Sequence, residues 1–137
     1  MPKDFFSSDF FTTKLIDYVE AGKDSGKPFF AYLAFTAPHW PLHAHDVDIA
    51  KYEGRYKDGY DKLRRDRLER MKKLGLVATD TPVFEGHPLW PKWDSLSAAE
   101  KESEARRMAV YAAMVDNMDQ NVGRMLDYLK KTGQLDN

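Results

Sequence analysis

The amino-acid sequence predicts an α/β fold that is mostly helical in this chain. A short, wholly apolar run at about 29–35 indicates a buried strand, and a capping box introduces a long helix at about 98–131. Shorter stretches of helical periodicity surround these two elements. A single strand still needs hydrogen-bonding neighbours. We therefore expect residues 1–137 to be a single partial domain, an internal segment of a larger α/β protein.

The predicted strand has the sequence FFAYLAF and no polar alternation that would let one face meet water. Such a run is typical of a central parallel strand, which is covered on both faces. Pro38 and Pro41 should end it, because proline has no amide donor and restricts the residue before it. An isolated chain could complete the ladder by self-association through the exposed strand edge.

The long helix at about 98–131 is predicted from its start signal and its apolar stripe. Ser97 and Glu100 have the spacing of a capping box, in which each side chain bonds the backbone amide of the other residue. Apolar residues follow at intervals of three and four, so one face should pack on a core. A stand-alone helical interaction module that uses this helix as its interface is an alternative.

The remaining helices are predicted from capping residues and apolar spacing. Ser8 or Asp9 can cap a first helix at about 9–21. A short helix is expected at about 46–52 and a longer one at about 61–74, each followed by glycine-containing sequence that can end it.

The composition limits the classes of partner. Twenty-one Lys and Arg oppose 22 Asp and Glu, for a net charge of -1, so no overall field attracts nucleic acid or an anionic membrane. The absence of cysteine excludes disulfides and thiolate metal sites within the chain. No window approaches the roughly 20 apolar residues of a membrane helix, and the start MPKDFFSSDF lacks the order of a signal peptide. Neither nucleic acid nor a membrane is an expected partner.

Three of the four histidines follow the predicted strand. His43 and His45 could ligate a metal from an extended segment, but two imidazoles without fixed geometry favour an ordinary surface role. His39 stands directly beyond the strand, where open parallel sheets bind ligands, so it is a candidate reacting group. A turn histidine bonded for structural reasons is the alternative. His87, beside a proline in a long loop, is most simply structural.

Polar residues in the second half of the long helix superficially resemble an oxygen-ligand calcium loop. They are Asp116, Asn117, Asp119 and Asn121. A calcium loop needs a central glycine bend, whereas these side chains would project from a helix in different directions. Loop anchoring, capping or solvent exposure is the favoured interpretation.

Three stretches together resemble bacterial arylsulfatases of the sulfatase family. They are PFFAYLAFTAPHWPLHA, KYEGRYKDGYDKLRRDRLERMKKLGL and YAAMVDNMDQNVGRMLDYLKKTGQLDN. Their order and separation match the family over essentially the whole chain. The resemblance implies an alkaline-phosphatase-like fold and hydrolysis of sulfate esters, with a formylglycine nucleophile and a calcium ion.

What the resemblance assigns to this chain is one catalytic position. His39 matches the family's active-site histidine, which contacts the substrate sulfate and can help to stabilise or protonate the leaving oxygen. The formylglycine, made from Cys or Ser in a C/S-x-P/A-x-R motif, and the calcium ligands are expected outside this segment, so the segment itself should bind no cofactor. Asp136 and Asn137 are not expected to be the family's Asp-Asn metal pair.

The resemblance implies a sulfate ester as the substrate of the parent enzyme and an inactive isolated chain. A phosphonate or phosphate ester hydrolase of the same superfamily is the alternative within hydrolases. The compartment stays undetermined, and a periplasmic or secreted parent is compatible with the family.

Overall fold

Four α-helices form the regular framework of residues 5–136, the part of the chain that the computed structural model describes. In chain order they are α1 (Ser7–Gly22), α2 (Asp46–Ala50), α3 (Gly59–Lys73) and α4 (Ala98–Lys131). Single 3₁₀ turns occur at Lys23–Ser25 and Trp93–Ser95. The rest of the described chain is turn and irregular structure.

The predicted helices are confirmed, and the predicted start of α4 is confirmed in atomic detail. The Ser97 hydroxyl accepts a hydrogen bond from the Glu100 amide at 3.3 Å. The Glu100 carboxylate accepts one from the Ser97 amide at 2.8 Å. Two of the four otherwise unpaired amides of the helix end are thus satisfied locally, which explains why this boundary was predictable from sequence.

The predicted cap of α1 is wrong. The N-cap is Phe6, with no side-chain cap bond, and Ser8 and Asp9 lie inside the first turn of the helix. Ser8 is buried there, and Asp9 bonds to distant residues instead of to the helix end. The Asp9 carboxylate, which the sequence suggested as a helix cap, instead makes tertiary hydrogen bonds.

The core is built on α4, which contacts α1, α2 and α3. Its apolar centre joins Ala113 and Met114 of α4 to Ile49 of α2 and to Ala44, which precedes α2. Ala37, Leu42, Tyr52 and Val110 pack around this centre. The predicted stripe of the long helix is not the face that packs on this core, since its residues Tyr111, Val115 and Val122 are exposed. The buried residues of α4 are instead Ala109, Ala113, Met114, Asn117 and Asn121.

The predicted core strand at 29–35 is not supported. Residues 5–136 contain no strand, and these seven residues are irregular, with Phe30 95% and Tyr32 84% exposed. No described backbone hydrogen bond involves this run. The physical reason is that a strand needs a neighbouring strand to bond its backbone and other elements to cover its side chains. The described residues supply neither for this run.

Trp93 packs directly over the start of α3. Gly59 has φ +84, and a Cβ atom added there would lie 2.1 Å from the Trp93 ring. The Trp93 amide donates to the Asp61 carboxylate at 3.1 Å, and the Trp93 and Tyr60 rings meet edge to face at 5.4 Å. These contacts attach the long irregular segment before α4 to α3.

Gly59→Ala should destabilise the chain by about 2–4 kcal/mol, because it combines a left-handed backbone with overlap of the indole. Urea unfolding followed by circular dichroism measures the effect. Gly22→Ala is the matched control, since Gly22 has φ -92 and open space around it. Equal stability of the two variants would contradict the packing of Trp93 against Gly59.

Candidate functional site

His39 lies in a loop of residues 36–45, named here the His39 loop, which connects the exposed apolar run to α2. The His39 amide donates to the Thr36 carbonyl at 3.0 Å and closes a tight turn. The peptide bonds before Pro38 and Pro41 are both cis. Ala37, Leu42 and Ala44 pack toward the core on α4. The loop is thus bonded internally and attached to the framework.

The imidazole of His39 has one nitrogen engaged. Its Nδ1 lies 2.6 Å from the Trp40 carbonyl oxygen, and because a carbonyl can only accept, Nδ1 carries a proton. Nε2 can therefore accept a hydrogen bond in the neutral ring and donate one in the imidazolium. This orientation suits proton transfer to or from a bound group.

A cavity of about 650 Å³ opens beside His39. The start of α1 and the His39 loop line it, and Met114 of α4 contributes to its wall. The lining is aromatic and aliphatic except for a few polar groups, among them the imidazoles of His39 and His43. Concave, mostly apolar sites with few polar groups are typical of small-molecule binding.

His43 and His45 do not converge on a metal position. The His45 Nε2 lies 2.9 Å from the Asp9 carboxylate, while the His43 ring packs against Phe6 at 5.7 Å. Across the described chain, no three His, Asp or Glu side chains are grouped closely enough to hold a metal ion. His87 accepts a hydrogen bond from the Leu89 amide at 3.2 Å, in line with the structural role predicted for it.

Asp9 is the centre of a polar network that sequence reasoning missed. Its Oδ1 accepts from Asn121 at 2.7 Å and from Asn117 at 3.2 Å, and its Oδ2 meets His45. Asn121 is only 1% exposed, and Arg124 donates to its side-chain oxygen at 2.7 Å. We call these five residues the Asp9 network.

The calcium-like run on α4 therefore has a structural role, as favoured from sequence. Asn117 and Asn121 anchor α1, whereas Asp119 is exposed. Asp116 bonds Lys51 at 2.9 Å, and Lys51 also bonds the buried Asp48 at 2.8 Å. Asp136 joins no group of possible metal ligands, and Asn137 lies outside the described residues.

Hydrogen-bond partners stabilise the charged forms of Asp9, Asp48 and Lys51. Burial raises the pKa of Asp9, but hydrogen bonds from Asn121, His45 and Asn117 outweigh it, so the pKa stays below its usual value. Burial likewise opposes ionisation of Asp48, and bonds from Lys51 and Gln120 bring its pKa below the usual range. Hydrogen bonds to the carboxylates of Asp48 and Asp116 raise the pKa of Lys51.

The residues present do not fit the nucleophile implied by the resemblance. The chain has no cysteine, and the one serine with C/S-x-P/A-x-R spacing is Ser103, in the sequence SEARR, which corrects the expectation that the motif lies wholly outside the chain. Ser103 is exposed within the regular helix α4 and does not line the His39 cavity. The pattern is short and degenerate, and the position of Ser103 away from the cavity does not support a role as the nucleophile.

Comparison with known proteins identifies the family. The model of the family described as Sulfatase matches residues 2–137. An uncharacterized sulfatase of Schizosaccharomyces pombe is 48% identical over 136 residues, covering 98% of this chain and 24% of the relative. An arylsulfatase of Klebsiella aerogenes is 39% identical over 134 residues, covering 98% and 28% of the two chains.

A third relative carries a broader name. The multifunctional alkaline phosphatase superfamily protein PehA of Trinickia caryophylli is 31% identical over 152 residues, covering 99% of this chain and 26% of the relative. The chain belongs to the sulfatase family, within the alkaline-phosphatase-like superfamily. It spans about a quarter of the length of these relatives. No helix of the described residues is long and apolar enough to cross a membrane.

Acid should weaken the fold through Asp9 and Asp48. Both folded carboxyls have a pKa below the ordinary 3.8, so the unfolded chain binds more protons as the pH falls. Their contribution to the free energy of unfolding should be complete above about pH 5 and decline as the pH falls through about 4 toward the folded pKa values.

Urea unfolding at a series of pH values measures this decline. Asp9→Asn should flatten the acid limb, because the residue no longer titrates. Asp17→Asn is the matched control on the exposed side of α1, outside the Asp9 network. An acid limb that is as steep in Asp9→Asn as in the unchanged chain would show that this carboxyl does not contribute.

Proposed function

We propose that this chain supplies one wall of a sulfatase active site and that His39 acts there on the sulfate ester substrate. The observation that carries the proposal is the placement of His39 on a bonded loop, beside a cavity, with Nδ1 engaged and Nε2 able to exchange a proton. Membership of the sulfatase family supports a sulfate ester as the substrate class.

Hydrolysis of a sulfate ester leaves negative charge on the oxygen that departs from sulfur. An imidazolium at His39 can donate its Nε2 proton to that oxygen, or hydrogen-bond a sulfate oxygen as charge develops. The Trp40 carbonyl holds the ring by Nδ1 and favours this orientation. In a longer chain that closed over the cavity, its apolar lining would strengthen the interaction by limiting water.

The remaining catalytic groups are proposed to come from sequence outside these 137 residues. Attack on sulfur requires a nucleophile, and the sulfate oxygens require cationic partners. The described residues offer neither a fitting formylglycine precursor at the cavity nor a group of metal ligands. One histidine without its partners loses several orders of magnitude in rate, so the isolated chain should be inactive.

A phosphonate or phosphate ester hydrolase is the second candidate function. The similarity to PehA, whose name places it in the alkaline phosphatase superfamily, supports this second candidate. Both ester classes present a tetrahedral anion to the same imidazole, so His39 does not distinguish them. Comparison of aryl sulfate and aryl phosphate turnover by a complete enzyme separates the two.

The exposed apolar run is proposed to be an interaction surface. Phe29, Phe30 and Tyr32 are large and lie open to solvent, and burying such side chains contributes roughly 1.5–3 kcal/mol each. In a longer sulfatase chain, the adjoining sequence would cover this run. In the isolated chain, a second copy is the available cover.

The catalytic proposal is tested in a chimera in which this chain replaces the matching part of the Klebsiella aerogenes arylsulfatase. We expect turnover of 4-nitrophenyl sulfate by the chimera and none by the isolated chain. His39→Ala should lower kcat by about 10²–10⁴-fold, the range for loss of a general acid or base, with little change in thermal stability. His87→Ala is the control.

Two results would contradict the catalytic proposal. One is detectable turnover by the pure isolated chain. The other is an active chimera whose kcat is the same with alanine at position 39, or whose stability falls as much as its activity.

Self-association is tested by size-exclusion chromatography with light scattering. The chain should form dimers or larger species at high concentration, and Phe30→Asp with Tyr32→Asp should shift it toward monomer, because a buried unpaired carboxylate is costly. Leu89→Asp, at an equally exposed apolar residue elsewhere, is the control. A monomeric chain with a cooperative melt would instead favour an autonomous helical module.

A further inference from the structure

The first turn of α1 holds both ends of the His39 loop. From this we infer that Asp9 and His45 are positioning residues, which fix the loop on α4 so that the His39 imidazole faces the cavity. The inference rests on the proposed function for its catalytic meaning, but its structural content stands on the contacts alone.

The entry to the loop is held by a weak contact. The hydroxyls of Ser7 and Thr36 lie 3.3 Å apart. The carbonyl oxygen of Thr36 also accepts a hydrogen bond from the His39 amide. The residue that bonds α1 is thus the same residue that closes the His39 turn.

The exit from the loop is held more strongly. Asp9 Oδ2 lies 2.9 Å from His45 Nε2, and the Phe6 ring packs on the His45 ring at 4.3 Å between centroids. Ser7 and Asp9 both lie in the first turn of α1, so both ends of the loop are attached to that turn. Between these attachments lies His39.

The carboxylate that holds the exit cannot easily move. Its other oxygen accepts from Asn121 and Asn117, both buried on α4. Arg124 adds a second connection, donating to the Asn121 side chain at 2.7 Å and to the Thr13 hydroxyl at 2.8 Å. A hydrogen-bonded chain therefore runs from α4 through Asp9 to the end of the loop.

This arrangement bears on catalysis because proton transfer depends on distance. A displacement of about 1 Å can cost about 100-fold in rate even when the displaced residue is chemically intact. The apolar contacts of Ala37, Leu42 and Ala44 set the depth of the loop on α4. They are non-directional, so the bonds at the ends are what orient it.

The ring signals of the histidines in the full 137-residue chain provide a direct test by carbon-13 NMR. The chain has only four histidines, so each signal can be assigned by substitution. Asp9→Ala and His45→Ala should both move the His39 signals toward their positions in the urea-denatured chain. Asp17→Ala on the same helix should leave them unchanged.

The His87 signals and the helical circular dichroism report whether a variant is still folded. His45→Ala removes only the loop side of the contact and leaves the bonds of Asp9 to α4, so it tests the inference even if Asp9→Ala unfolds. Unchanged His39 signals in a folded His45→Ala chain would overturn it. So would an equal movement in Asp17→Ala.

Kinetics in the chimera separate this inference from the proposed function. Asp9→Ala and His45→Ala should lower kcat by about 10- to 100-fold with KM nearly unchanged, because misplacement acts on the reacting geometry. If alanine at position 39 leaves the chimera fully active, the proposed function fails, and the NMR result still decides whether Asp9 and His45 orient the loop.

Discussion

The hydrogen bonds between the Asp9 carboxylate and the two buried amides of α4 set the position of α1 on α4 and, through α1, that of the His39 loop. Asn117 and Asn121 lie inside the helix packing, and leaving such a group unpaired costs roughly 1–3 kcal/mol. Asp9 meets this need from α1. The apolar centre is small, so these directional bonds determine the position of α1 on α4 more than area alone could.

The position of α1 determines the position of His39. The first turn of α1 contacts Thr36 and His45 at the two ends of the loop, and its leading residues line the cavity. A histidine on an otherwise exposed loop gains a defined orientation in this way. The same carboxylate thus serves stability and site geometry.

The run at 29–35 is exposed and is the surface where we propose that a partner or adjoining sequence packs. Its composition is that of a buried segment, yet the described residues cover only a small part of it. An apolar run can be covered only by a surface that is present, and the chain spans about a quarter of its relatives' length. Whether an apolar run is buried therefore depends on the surfaces around it. The sequence of the run shows only that it favours burial.

The sequence by itself determined the helices and the family. Ser97 and Glu100 lie three residues apart, so their capping box is local, and the order of motifs around His39 indicated a sulfatase. Only the tertiary structure decided the partners of Asp9, because Asn121 lies 112 positions away. It also left the predicted strand unformed. Helix ends depend on neighbours in sequence, whereas strands and polar networks depend on neighbours in space.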